Sequence, residues 1–175
     1  MNFCQSPLSW PSLSCLAVVL VAATAAIGIA SAEEVTVEDG KYFTADGDPT
    51  FNIKDDGTVD WYTYSGFRRY HSECHVCHGP DAGGSTFAPA LKESLKTMEY
   101  SDFITTVATG REKTNADGSI NKMPAFGDNK NVYCYIDDIY IYLKARGGTL
   151  PAGRPLKRED KPEAAKEFEK GCLHG

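Results

Sequence analysis

Apolar positions follow two different patterns along the chain, and the change comes near residue 60. Over 33–59, short apolar pieces (Val35-Thr36-Val37, Lys41-Tyr42-Phe43 and Phe51-Asn52-Ile53) alternate with Asp39-Gly40, Asp46-Gly47 and Asp56-Gly57. Such pieces separated by turn dipeptides predict hairpins or loops laid over a core built elsewhere. From 60 onward the spacing becomes helical. Over 60–77, Thr63, Gly66, Phe67, Tyr70 and Cys74 fall on one side of a helix. Over 100–109, Tyr100, Phe103, Ile104 and Val107 do the same, with Ser101 as the expected N-cap and Gly110 as the stop. The longest helix is expected over 131–146, ending at Gly147-Gly148, with a stripe of Val132, Tyr135, Ile136, Ile139, Tyr142 and Leu143. Cys134 and Ile141 project from nearly the opposite side. Loops rich in Gly, Pro or Asn fill 79–91 and 111–130, and a charged tail has one more expected helix over 161–170.

Gly66 sits mid-helix, where glycine costs about 1 kcal/mol relative to alanine. Its place on the inward face predicts a close crossing with the 131–146 helix. Gly66, Tyr70 and Cys74 are spaced by four, so they form one row. The fold class expected is all-α, with an N-terminal loop or hairpin arm and a C-terminal helical tail.

The 175-residue length fits one domain with extensions. The first 32 residues carry no charged side chain and contain an apolar stretch over 16–30 that ends at Ala30-Ser31-Ala32. This reads as a cleaved export signal, too short for a membrane span of about twenty residues. The usual basic start is missing, so a retained anchor is the alternative. The organisation expected is a signal peptide at 1–32, an arm at 33–59, a helical domain at 60–147 and a tail at 148–175. All formal charges lie beyond residue 32 and sum to −6, the opposite of a nucleic-acid footprint. Acidic pairs at Asp46/Asp48 and Asp55/Asp56 lack the spacing of a calcium loop and read as turn chemistry.

Candidate chemistry centres on Cys74-His75-Val76-Cys77-His78. Two thiols three positions apart can each add to a vinyl group of one haem, and the histidine after the second then stands beneath the iron. Dithiol redox and half-zinc sites share the C-x-x-C spacing, but His78 and the export signal favour haem. An iron-bound histidine gives its second ring N–H to an acceptor; the carbonyl of Pro89 is one candidate, and Pro89 as a mere loop stop is the other reading. For the sixth iron ligand, Met123 lies in a loop between helices and directly before Pro124, which stiffens its backbone. Met98 is expected to pack in the core. His71 is expected to face solvent, and His75 and His174 have no placement that favours ligation. Cys4 and Cys15 leave with the signal, so Cys134 and Cys172 remain; in an oxidising compartment they are most simply a disulfide, with two free thiols the alternative.

The order Gly66-x-x-x-Tyr70-x-x-x-Cys74-x-x-Cys77-His78-Gly79, then Pro89-Ala90-Leu91, Met123-Pro124 and Tyr142-Leu143 resembles class I cytochromes c over 60–147. That resemblance implies an all-helical fold around one covalent haem c, with His78 and Met123 on the iron, the Pro89 carbonyl bonded to His78 and Leu91 against the porphyrin. The aromatic segment 59–66, the Tyr70-His71-x-x-Cys74 lead-in, the acidic arm and the four mature cysteines are similar to the methanol-metabolism-related, cytochrome c-L type carriers. In that family the added pair would be Cys134 and Cys172. The likeness implies a periplasmic carrier, not an enzyme, that accepts single electrons from a PQQ-dependent methanol or alcohol dehydrogenase and passes them to a downstream cytochrome or oxidase. Two other functions compete: a haem enzyme or gas-binding sensor with an open or displaceable sixth position, and an accessory subunit in which the haem is a fixed relay.

Overall fold

The computed structural model describes residues 34–174; the expected leader, with Cys4, Cys15 and Ala30-Ser31-Ala32, lies outside them. Helix α1 (Trp61–Glu73) starts where Asp60 leaves extended backbone and caps it. One carboxylate oxygen of Asp60 accepts from the Thr63 N–H at 2.8 Å, and the other accepts from Thr63 Oγ1 at 2.6 Å and from the Asn52 N–H at 2.9 Å. A single side chain therefore begins the helix and ties the arm to it. Asp60 is buried, and burial raises its pKa despite these donors.

Six consecutive residues, Trp61 to Gly66, are buried, more than a one-sided stripe predicts. The arm covers one flank: Lys41 lies 4.8 Å over the Tyr62 ring, and the Tyr62 hydroxyl donates to the Asp39 carbonyl at 3.3 Å. The tail covers the other, with Arg158 5.0 Å over both Trp61 and Tyr64. Helix α1 ends at Glu73, and a separate turn, α2 (His75–His78), carries the attachment motif onward.

The expected 131–146 helix is interrupted. Helix α5 (Lys130–Tyr133) is capped by the Asn129 side chain, and α6 (Ile136–Gly147) restarts after Tyr135, whose φ of −131° and ψ of 21° are not helical. The break lets the Tyr135 ring turn under the Arg69 guanidinium at 3.6 Å, in a site that leaves the tyrosine 2% exposed. Helix α6 crosses α1 at Gly66 as expected: a Cβ there would overlap the Asp138 carbonyl and lie 2.8 Å from Tyr142 Cβ. Ile141, on the side expected to face away from the crossing, is buried too, because α6 is the central rod against which α1, α3 (Leu91–Ser94), α4 (Tyr100–Thr109) and the arm all pack. Burying each of its large apolar side chains stabilises the fold by about 1.5–3 kcal/mol.

Two small sheets accompany the helices. The arm is an antiparallel sheet of β1 (Thr36–Glu38), β2 (Lys41–Phe43) and β3 (Pro49–Thr50) in that order. Asp39 and Gly40 turn β1 into β2 with φ of 51° and 77°, the left-handed pair that a two-residue hairpin favours. The second sheet corrects the expected 111–130 loop: β4 (Arg111–Thr114) pairs antiparallel with β5 (Ile120–Met123), Arg111 opposite Met123. Its strands alternate no apolar face, so periodicity gave no signal. Helix α4 begins one position after Glu99, not at Ser101, and no side chain caps it.

Past α6 the chain runs as an extended strap over 148–162. Lys157 O accepts from the Val59 N–H at 3.2 Å, and Val59 O accepts from the Glu159 N–H at 2.9 Å, so the strap locks the root of α1. Helix α7 (Glu163–His174), longer than the expected 161–170, ends the chain against α5. There Cys172 forms a disulfide with Cys134, the two Cα atoms 5.9 Å apart.

Candidate haem site

The site grows from the end of α1. Tyr70, fully buried, donates its hydroxyl hydrogen to the Gly79 carbonyl at 2.5 Å, which fixes the turn just beyond His78. Gly79 has a φ of 74°, and any Cβ would collide with the Gly84 carbonyl, so no other residue fits. The Gly84 N–H closes the loop onto the His78 carbonyl at 2.7 Å, and Ser85 Oγ donates to the Cys77 carbonyl. Between them Asp81 and Ala82 hold left-handed backbone, with φ of 57° and 58°, where non-glycine residues are uncommon. The tail of α6 holds them there: Arg146 Nε donates to the Asp81 carbonyl at 3.3 Å, and the Asp81 carboxylate accepts from the Gly153 N–H at 2.7 Å.

His78 is 8% exposed, with Nδ1 3.0 Å from the Pro89 carbonyl oxygen. A carbonyl can only accept, so Nδ1 bears the hydrogen and Nε2 keeps its lone pair. No protein group among the described residues bonds to Nε2. Of the two readings of Pro89 left open by sequence, the acceptor reading matches this geometry.

Cys74 is half-buried and Cys77 exposed; neither is in a disulfide, although the chain's other described pair is. Burial pushes the Cys74 thiol up to about 12, with the Glu73 carboxylate and Cys77 acting in the same direction. Among the described residues no three His, Cys, Asp or Glu gather to hold a metal ion. Two unpaired thiols a helical turn apart, followed by an imidazole with a directed lone pair, fit a macrocycle held by two thioethers with its iron over the imidazole. Buried His75 Nδ1, inside the motif, lacks a hydrogen-bond partner among the described residues.

Met123 ends β5, half-buried against the core cluster. Its carbonyl passes so close to Gly110 that a Cβ there would lie 2.6 Å away, and Gly110 has a φ of 75°. Gly110, foreseen only as a helix stop, is thus also what lets the Met123 strand approach α4. Leu91 opens α3, half-buried, and Met98 packs against the core just before α4. His174 is exposed at the end of α7.

His71 corrects the expectation of a solvent-facing side chain. Its Nδ1 lies 2.8 Å from the Phe67 carbonyl, and its ring contacts Phe67 at 4.2 Å, Tyr70 at 5.2 Å and His75 at 5.7 Å between centroids. The signal for the Tyr70 link was its place in the row with Gly66 and Cys74. Nothing in the sequence marked the Arg146 and Asp81 clasp, whose partners are 65 residues apart.

A family model described as cytochrome c oxidase, cbb3-type, subunit III matches residues 63–143. The chain is 55% identical over 140 residues to cytochrome c-553I of Paracoccus denitrificans, covering 79% of this chain and 62% of that protein's length. It is 42% identical over 97 residues to cytochrome c-555 of Methylococcus capsulatus, covering 54% of this chain and 72% of the relative. Its structure is similar to that of the c-type cytochrome XoxG from Methylobacterium extorquens AM1, with a TM-score of 0.73 and 58% identity over 79% of this chain and 84% of the other. With the helical architecture, the attachment motif and these relatives together, the chain belongs to the class I c-type cytochromes, which hold haem c covalently.

Proposed function

We propose that this cytochrome works in the periplasm as the one-electron acceptor of a PQQ-dependent methanol or alcohol dehydrogenase, handing each electron to a downstream cytochrome or oxidase. The haem supplies a one-electron iron couple. The chain's part would be to hold it: Cys74 and Cys77 would form thioethers, each by adding S–H across a vinyl double bond, and His78 Nε2 and Met123 sulfur would ligate the iron. The Pro89 carbonyl, by accepting from Nδ1, orients His78 and strengthens it as a donor. Leu91 gives apolar contact to the ring. A thioether sixth ligand raises the reduction potential and closes the iron to small substrates, so the role assigned is transfer of electrons and not turnover.

The observation that carries this reading is the pairing of His78 Nδ1 with Pro89 O, which leaves Nε2 aimed and unbonded. Likeness to XoxG over most of both chains supports the choice of donor. Export is supported by the disulfide. The signal, arm, domain and tail boundaries at 32, 59 and 147 are part of the same proposal. Alcohol oxidation releases two electrons, so each turnover of the dehydrogenase requires two carrier encounters. Mixing ferric cytochrome with a PQQ-dependent methanol dehydrogenase and methanol should reduce it; a protein that stays oxidised would remove that donor.

A further inference from the structure

The strap carries a cationic surface that the haem site does not use. Residues 151–158, Pro-Ala-Gly-Arg-Pro-Leu-Lys-Arg, hold three cations and no acid in a chain of net charge −6. Lys157 is paired with Asp56 at 3.1 Å, and the next carboxylate, Glu159, is taken by Lys54 at 2.7 Å. Arg154 and Arg158 form no ion pair with a carboxylate among the described residues. Both are instead laid against aromatic rings: Arg154 donates to the Tyr64 hydroxyl at 2.7 Å, and Arg158 sits 5.0 Å over Trp61 and over Tyr64. Between them Leu156 is 96% exposed, the most exposed large apolar side chain described, at the rim of a groove of about 300 Å³ lined by Tyr64, Arg154, Pro155 and Arg158.

We infer that this strap is a docking surface for an acidic, leucine-accepting segment of a redox partner protein. Three features favour that occupant. Guanidiniums stacked on rings are pre-organised, so less side-chain freedom is lost when they grip carboxylates in a bidentate way. An exposed leucine flanked by arginines has the make-up of an interface centre, apolar contact ringed by cations. Finally, the surface is joined to the haem loop: the Gly153 N–H bonds Asp81, three residues past His78, so Arg154 follows directly on the clasp that shapes that loop. A partner held on the strap is thereby held beside the attachment segment. The inference rests on the carrier reading for the role of the partner, but its chemistry can be tested without any dehydrogenase.

The test is a titration of isotope-labelled ferrous holocytochrome with a peptide of Asp, Glu and Leu, followed by amide chemical shifts at low and at high salt. Vesicles of phosphatidylglycerol form a parallel arm. The expected result is salt-reversible shifts clustered at Tyr64 and at 153–158, with affinity lowered about tenfold or more in R154E/R158E and to a smaller extent in L156S. An unaltered haem spectrum checks that the variants are folded. Shifts elsewhere, no shifts, or binding to the vesicles but not to the peptide would overturn the inference. The same variants then separate it from the proposed donor. If peptide binds at the strap but methanol dehydrogenase does not reduce the wild type, the donor falls and the docking surface stands. If the wild type is reduced and R154E/R158E is reduced at the same rate and with the same salt dependence, the docking surface falls and the donor stands.

Discussion

His78 and Met123, proposed to face each other across the haem, stand on structures of opposite character. His78 is 8% exposed on α2, just past the helix α1 whose crossing with α6 admits no Cβ, and its loop is closed by Tyr70, Gly84, Pro89 and the Arg146 clasp. Met123 ends a two-stranded hairpin whose β4 residues are all exposed and which contributes only half-buried side chains to the core. The first side is over-determined by packing, whereas an isolated hairpin is marginal in water and this one is placed by its close approach to Gly110. The difference teaches that the attachment motif and His78, the proposed fifth ligand, belong to the folding core. Met123, the proposed sixth ligand, is hung on an element that can change without unfolding it.

The sharpest way to break that contrast is at the crossing. Gly66→Val places methyl groups in the space of the Asp138 carbonyl, and the expected loss exceeds about 4 kcal/mol, so little holocytochrome should accumulate. A variant that folds with an unchanged denaturation midpoint would show that the His78 side is not held by this contact. Next comes the tail. Replacing Cys134 and Cys172 together by serine opens a 38-residue loop and should cost up to about 4 kcal/mol by loop entropy, read as a lower urea midpoint with the haem spectrum unchanged.

A smaller effect lies inside the well-packed side. Asp138 is buried at the crossing, and burial lifts its carboxyl from 3.8 to about 7, opposed by the Ser65 hydroxyl and Lys41 and assisted by Asp137 and Glu169. Between those two values the folded protein keeps a proton that the unfolded chain has released. Stability therefore falls as pH rises through that window, by up to about 1.4 kcal/mol per pH unit. Asp138→Asn should flatten this slope in urea melts taken from pH 4 to 7; an unchanged slope would place the titration elsewhere.

The same contrast separates what the sequence could and could not disclose. The attachment motif, the Gly66 crossing and the arm's Asp-Gly turns are short-range or stereochemical necessities, so they were legible from residue type and spacing, whereas residue type left Pro89 between two roles. The hairpin under Met123 was not, because its few apolar residues, Ile120 and Met123, fall on opposite faces and nothing alternates. The break at Tyr135 was hidden as well: its sequence keeps helical period, and only the Arg69 stack makes the departure worthwhile. Reading α1 as one-sided failed for a related reason, since the arm that covers Tyr62 and the strap that covers Trp61 and Tyr64 come from segments about 20 residues before and 90 after. His71 was misplaced because helical geometry gives a direction but not what already occupies it.

The most direct test of the account is the visible and near-infrared spectrum of the ferric protein beside Met123→Ala. The weak long-wavelength band of methionine-to-iron ligation should be present in the wild type and absent from the variant, while far-ultraviolet circular dichroism and covalent haem content stay the same. A band that persists in the variant, or a variant that loses its helices with its methionine, would contradict the account: the first would place the sixth ligand elsewhere, and the second would make the hairpin part of the core.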